Sequence, residues 1–250
     1  MNEASRRLAS WSAGVFIGLI AALLLGIPAA AQVQQMDAER APGGVARAEE
    51  RPPELDRQFR RAEMAWRRGA NLLEAKARLD HLLGERPDDL EARKLRAEVL
   101  LEMDRPGAAL RDADHAAEFR PRGGMAHLLR AEAARRDSQP DLARRALDRA
   151  AEHLPQKTGP HVRLSWNAMR LGRLAQAEAF ARVAVALDSS AAPAYRQLAR
   201  VFTERGSNDE AASVLARGLR AGALKPRALR EDERLRPLVD HPRLQELVRR

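Results

Sequence analysis

The sequence contains no cysteine, which excludes several kinds of chemistry at once. Disulfide bonds, cysteine-ligated metal sites, a thiol nucleophile and a lipidated N-terminal cysteine are all ruled out. Aromatic residues are also scarce, at 4% of 250 residues, although 45% of the chain is apolar. Strands are built mainly from β-branched and aromatic side chains, whereas alanine and leucine allow helices to pack closely. The composition therefore predicts an all-α fold.

Recognisable catalytic motifs are missing as well. The chain shows no Ser-His-Asp order, glycine-rich phosphate loop or HExxH-type helix. Two histidine pairs have a spacing of 34 residues, His81 with His115 and His127 with His161. Equivalent positions in adjacent helical units lie roughly 8–10 Å apart, too far to share a metal held at about 2 Å. We therefore predict no enzymatic activity, no metal site and no cofactor.

The chain is basic, with a formal net charge of +9. Only Glu3, Arg6 and Arg7 among its charged residues precede residue 32, so the basic excess belongs to the rest of the chain. Such an excess favours binding to an acidic protein segment, an anionic membrane surface or nucleic acid, and by itself it does not distinguish among these partners.

Residues 1–31 have the layout of an export signal. Arg6-Arg7 precedes an uncharged apolar run from Ala13 to Ile27, and small residues follow at 28–31. No charged residue occurs from Trp11 to Ala31, a stretch about as long as the roughly 20 residues that a membrane span requires, so an uncleaved anchor through residues 11–31 is the alternative. Either interpretation predicts a periplasmic protein, free or anchored in the inner membrane. Residues 32–55 are polar and rich in proline and glycine, which predicts a disordered linker.

The remaining sequence repeats with a fixed period of 34 residues. One column holds alanine in all five copies, at Ala75, Ala109, Ala143, Ala177 and Ala211. The five units fit without gaps over 56–89, 90–123, 124–157, 158–191 and 192–225. A period of this length predicts a solenoid, in which each unit packs only on its neighbours.

The fifth unit carries the most specific pattern, at Tyr195, Leu198, Ala199, Phe202, Gly206, Ala211, Leu215 and Gly218. This pattern resembles the tetratricopeptide repeat family, whose unit is a helix-turn-helix of this length. The resemblance implies a right-handed superhelical solenoid of about five repeats over 56–225. Residues 226–250 break the period and resemble the closing segment of many bacterial proteins of this family, which predicts a C-terminal cap.

In tetratricopeptide domains the first helices line a concave face, which holds a segment of another protein. Carried onto this chain, the resemblance implies a groove lined by Arg57, Arg60, Arg61, Met64, Arg67, Lys94, Met125, Leu128, Arg135, Arg163, Trp166, Met169, Arg170, Arg196 and Arg200. Basic side chains at both ends, with apolar ones between, predict a partner whose acidic groups flank hydrophobic anchors. The alternative is that these arginines merely solvate the helix faces.

The sequence thus predicts a non-enzymatic protein-interaction scaffold in the cell envelope, which helps to assemble or position a larger complex. Two other hypotheses stay open, a helical-repeat nucleic-acid-binding protein and a catalytic protein with a helical body. Arg60 and Met64 stand where some family members carry the lysine and asparagine that hold a chaperone's terminal carboxylate. We therefore predict no chaperone-tail ligand.

Overall fold

The computed structural model describes residues 51–69 and 71–249. The predicted signal or anchor at 1–31, and nearly all of the predicted linker, lie outside these residues. In the described part of the chain there are twelve α-helices, one 3-10 helix and no strand. None of these helices is both long enough and apolar enough to cross a membrane. The all-α prediction is confirmed.

Ten of the helices form five consecutive pairs, one pair in each sequence repeat. Their bounds are α1 Pro53–Arg67 and α2 Leu72–Glu85; α3 Leu90–Glu102 and α4 Pro106–Phe119; α5 Gly124–Arg136 and α6 Pro140–His153; α7 Thr158–Arg170 and α8 Leu174–Leu187; α9 Ala192–Glu204 and α10 Asn208–Arg220. We call α1, α3, α5, α7 and α9 the first helices. The predicted solenoid of helix pairs is confirmed.

The turn inside each pair contains one residue in the left-handed backbone region. Gly69, Gly172 and Gly206 have φ values of 62°, 75° and 78°. Asp104 and Ser138 adopt the same conformation at 56° and 59° in the second and third pairs. Glycine adopts this conformation freely and other residues do so at a cost. The turn geometry is therefore common to all five units even where the glycine is missing.

Small residues allow the two helices of a pair to approach closely. The five alanines of the repeat column are fully buried, and Ala97, Ala131, Ser165 and Ala199 are fully buried in the first helices. The hydroxyl of Ser165 donates to the main-chain oxygen of Ala177 at 2.7 Å, so this buried polar group is satisfied. Close contacts between paired helices therefore recur in the second to fifth units, as a solenoid requires.

A charge cluster around the buried carboxylate of Asp112 joins the first two pairs. Asp112 on α4 accepts from Nε and Nη2 of Arg96 at 2.7 and 2.6 Å, and from Arg93 at 3.2 Å. Arg96 also donates to Asp80 on α2 at 2.8 Å. Its hydrogen bond to Asp112 raises the pKa of Arg96 above its ordinary value, against the opposing effect of burial. The cluster keeps the buried charge of Asp112 paired with two arginines.

The C-terminal segment covers the fifth pair. It comprises α11 (Pro226–Arg230), a 3-10 helix (Arg236–Leu238) and α12 (Pro242–Arg249). Its buried apolar side chains join the cluster formed by Tyr195, Phe202 and Leu215 of the last unit; they are Leu229, Leu235, Leu238, Leu244 and Val248. A solenoid needs such a cover at its end because the last unit has no neighbour.

Candidate functional site

The candidate binding surface is built from the first helices. Successive first helices contact one another, α3 with α5, α5 with α7 and α7 with α9. We call the surface that carries the predicted groove residues the groove face. At its N-terminal end the indole Nε1 of Trp66 donates to Glu102 at 2.7 Å, which links α1 to α3. The repeat thus places equivalent positions of consecutive units side by side.

The basic residues at the N-terminal end lie mostly within exposed ion pairs. Arg60 pairs with Asp56 and Arg67 pairs with Glu63, each at 2.7 Å and one helical turn apart. Lys94, which is half-buried, pairs with the exposed Glu91 at 2.6 Å. Exposed pairs of this kind contribute little to stability. A bound partner can therefore recruit these cations at small cost.

The remaining predicted residues of this end differ in how far they reach solvent. Arg57 and Arg61 are exposed on α1. Met64, also on α1, is 50% exposed, which is unusual for a large apolar side chain. Met125 on α5 is half-buried. An apolar contact is therefore available to a partner at Met64.

Two predicted groove residues belong to the core instead. Leu128 is fully buried and Met169 is 5% exposed, and both pack in one apolar cluster with Leu147. The sulfur of Met169 also lies 3.9 Å from the amide nitrogen of Gln197. The prediction was wrong for these two side chains, because the neighbouring helices cover them. Helical spacing indicates a face but does not indicate how deep a residue lies on it.

Arg163 is engaged inside the chain and is not free for an acidic partner. Its two terminal amino groups donate to Glu98 at 2.8 Å and to Glu132 at 2.9 Å, which ties α7 to α3 and α5. Burial by itself would lower the pKa of Arg163, but the attraction of the two carboxylates outweighs it and raises this pKa. The expectation that Arg163 contributes free positive charge to the groove was wrong.

A pocket lies where the groove face meets the C-terminal segment. Trp166 is half-buried there, with the guanidinium carbons of Arg200 and Arg234 at 5.9 and 5.1 Å from its ring centroid. Arg200 also donates to the buried carboxylate of Asp232 at 2.7 Å. Arginines at these distances attract the face of the indole. Trp166 is therefore partly covered by the chain itself.

The pocket has a volume of about 330 Å³ and mixed charge. Its lining comprises Trp166, Arg196, Arg200, Ala228, Glu231, Asp232, Glu233 and Arg234. The sequence prediction included Trp166, Arg196 and Arg200 and missed the four charged residues of the C-terminal segment. The acidic run at 231–233 was visible in the sequence, but nothing in the period shows that it folds back onto the groove.

Four of the arginines predicted to line the groove make no ion pair within the part of the chain that the structure describes. They are Arg61, Arg135, Arg170 and Arg196. Arg135 is half-buried, and its Nε donates to Asn167 at 3.0 Å. Burial lowers the pKa of Arg135, and the nearby charges of Arg170 and Arg136 lower it further against the attraction of Glu132. The central groove thus contains positive charge that this part of the chain does not neutralise.

Two of the histidines at the 34-residue spacing lie within hydrogen-bond distance of main-chain oxygens. His127 contacts the main-chain oxygen of Pro121 at 2.7 Å through Nε2, and His161 contacts that of Lys157 at 2.9 Å through Nδ1. Among residues 51–69 and 71–249 no cluster of three or more histidine or acidic side chains has the arrangement of a metal site.

Comparison with known proteins gives a fold and not a function. No family model and no curated protein matches the sequence. Among solved structures, the tetratricopeptide protein TTC0263 from Thermus thermophilus has 22% identity and a TM-score of 0.57, covering 66% of this chain and 90% of that one. PilW, a type IV pilus biogenesis factor, has 17% identity and a TM-score of 0.62 over 78% and 91% of the two chains. MamA from Desulfovibrio magneticus RS-1 has 16% identity and a TM-score of 0.54 over 68% and 96%. The chain has the fold of a tetratricopeptide-type helical repeat protein.

Proposed function

We propose that this chain is a non-enzymatic interaction scaffold of the cell envelope, which binds a segment of another protein along the groove face. The observation that carries the proposal is the set of groove-face arginines without an ion pair in the described part of the chain. They occur in the first, third, fourth and fifth units. A surface that keeps several cations unneutralised attracts an anionic partner.

The partner is a protein segment with acidic groups and apolar anchors. Met64 offers an exposed apolar contact near one end of the groove face, and Trp166 offers part of its ring at the other. Glu98 and Glu132 lie between them, and each forms an ion pair with Arg163. Continuous polyanions such as nucleic acids are disfavoured by these central carboxylates, whereas a protein segment can alternate its charges.

An envelope location is supported by the export-signal pattern of residues 1–31. PilW, a type IV pilus biogenesis factor with a similar fold, agrees with such a location. The test is a fusion of an alkaline phosphatase reporter, active only in the periplasm, after the predicted linker. We expect phosphatase activity, and activity of a cytoplasm-specific reporter at the same position would contradict the proposed location.

Site-specific photo-crosslinking in living cells tests the binding surface. A crosslinking amino acid replaces Arg61 or Arg196 on the groove face, and matched variants carry it at Arg111 or Arg145, which are exposed on second helices. We expect one discrete protein adduct from the groove positions and none from the controls. Equal adducts from both faces, or adducts with nucleic acid, would refute a protein-binding groove.

A further inference from the structure

Arg135 and Arg170 differ from the other arginines around them. Arg136 pairs with Asp104 at 3.1 Å, and Arg163 pairs with Glu98 and Glu132. Arg135 on α5 and Arg170 on α7 make no ion pair in the described part of the chain. Asp104, Glu98 and Glu132 thus already form ion pairs with other arginines. Arg135 and Arg170 have no such pair in the described part of the chain.

The guanidinium of Arg135 is held in place from one side only. Its Nε donates to the side-chain oxygen of Asn167 at 3.0 Å. Asn167 is fully buried, and its amide nitrogen donates to the main-chain oxygen of Arg163 at 3.0 Å. Because the two terminal amino groups of Arg135 have no acceptor among the described residues, the fork that binds a carboxylate remains open.

The surrounding charges favour a single added anion. Burial lowers the pKa of Arg135, and the charge of Arg170 acts in the same direction. Glu132 offsets part of this effect, but its carboxylate is already bonded to Arg163. A carboxylate placed between Arg135 and Arg170 would form charge-assisted hydrogen bonds in a partly desolvated site, where they are strong.

We propose that Arg135 and Arg170 form an anion-binding subsite for one aspartate or glutamate side chain of a protein segment bound along the groove face. This inference rests on the function proposed above and names the chemistry of one contact. Phosphate groups are the competing ligand. A protein carboxylate is favoured because the nearby carboxylates of Glu98 and Glu132 leave only a small local excess of positive charge.

The first test uses small probes and the full chain labelled with ¹⁵N. N-acetylglutamate α-amide is titrated while the Nε–Hε signals of arginine are followed by NMR, with N-acetylglutamine α-amide and inorganic phosphate as comparisons. We expect a saturable shift of the Arg135 signal with the glutamate probe only. A shift of equal size with the glutamine probe, or tighter binding of phosphate, would overturn the subsite as proposed.

The second test uses arrays of synthetic peptide pairs that differ by glutamate against glutamine at one position. We expect the full chain to prefer the glutamate member of bound pairs by about 10- to 100-fold, which is the range for hydrogen bonds to charged groups. Arg135→Gln and Arg170→Gln should each remove this preference. Arg136→Gln and Arg145→Gln should keep it, since the first is already paired and the second lies on a second helix.

The outcomes separate this inference from the function on which it rests. Peptides that bind without a glutamate preference, or with a preference unchanged in both variants, would refute the subsite and leave the groove intact. Failure of every peptide together with the absence of groove crosslinks would refute the binding function itself. Arg170 is exposed, so Arg170→Gln should melt like the wild type and keep the test independent of folding.

Discussion

Replacement of Ala177 by leucine tests the packing on which the solenoid depends. Ala177 is fully buried on α8, and its main-chain oxygen accepts a 2.7 Å hydrogen bond from Ser165 on α7. The two helices of the fourth pair are therefore close at this point. A leucine side chain has no space there unless the helices separate.

We expect Ala177→Leu to lower the free energy of unfolding by about 1–3 kcal/mol, the usual cost of overfilling a well-packed contact. Disturbing the hydrogen bond from Ser165 adds up to about 1 kcal/mol. For a chain of this size each kcal/mol corresponds to roughly 2–4 °C in Tm. The measurement is thermal unfolding followed by circular dichroism.

Ala179→Leu is the matched control, because Ala179 lies on the same helix and is exposed. It should change the free energy of unfolding by no more than about 0.5 kcal/mol. Amide hydrogen exchange adds spatial detail, since units of a solenoid are coupled mainly to their neighbours. Ala177→Leu should raise exchange rates in α7 and α8 more than in α2. A melting temperature equal to that of Ala179→Leu would show that the small-residue contact is not needed.

Three further predictions concern other parts of the structure. Asp112→Ala should cost about 1–3 kcal/mol in urea denaturation, because it removes the buried carboxylate that Arg93 and Arg96 share and leaves them only Pro87 and Asp80 as acceptors; an unchanged midpoint would contradict this. Gly124→Ala should lower Tm, since its Cβ would lie 2.4 Å from main-chain atoms at the end of α6, whereas Gly159→Ala meets open space and should be neutral. The pKa of Asp188 lies below its ordinary value because Ser190 donates to it. An NMR titration should therefore show this pKa rising in S190A, and the contact being lost as pH falls through the lowered pKa.

The fold could be predicted in some detail because it depends on a short-range spacing of small residues that recurs in every unit. The spacing of Ala75, Ala109, Ala143, Ala177 and Ala211 marks one face of each second helix, and all five are buried against their partners. Small residues at equal intervals are what close helix pairs require, so periodicity and packing agree.

The turns inside the helix pairs are more regular in the structure than in the sequence. All five contain a left-handed residue, but only three of these residues are glycine. The third turn lacks a glycine, yet Ser138 adopts the backbone conformation that Gly172 and Gly206 adopt one and two units later. The helices on either side impose the turn at this position. A single residue type was therefore a weaker guide than the period itself.

For the candidate site, the sequence predicted which face of the first helices carries it, but not how deeply each residue is buried. Trp166 and Arg170 follow from helical spacing on α7, and neither side chain is buried in the core. The same spacing placed Met169 beside them, although it is 5% exposed. Depth depends on which neighbouring helix lies over a residue, and a sequence pattern carries no such information.

The sequence alone determined the all-α class, the number of units and the positions of the close contacts, because short-range spacing controls all three. Only the tertiary structure decided which arginines are neutralised. Arg163 forms ion pairs with carboxylates that lie 65 and 31 residues away in the chain, whereas Arg135 forms no ion pair in the described part. Charge pairing between units depends on distances across the stack of helices, and these distances exist only once the units have packed.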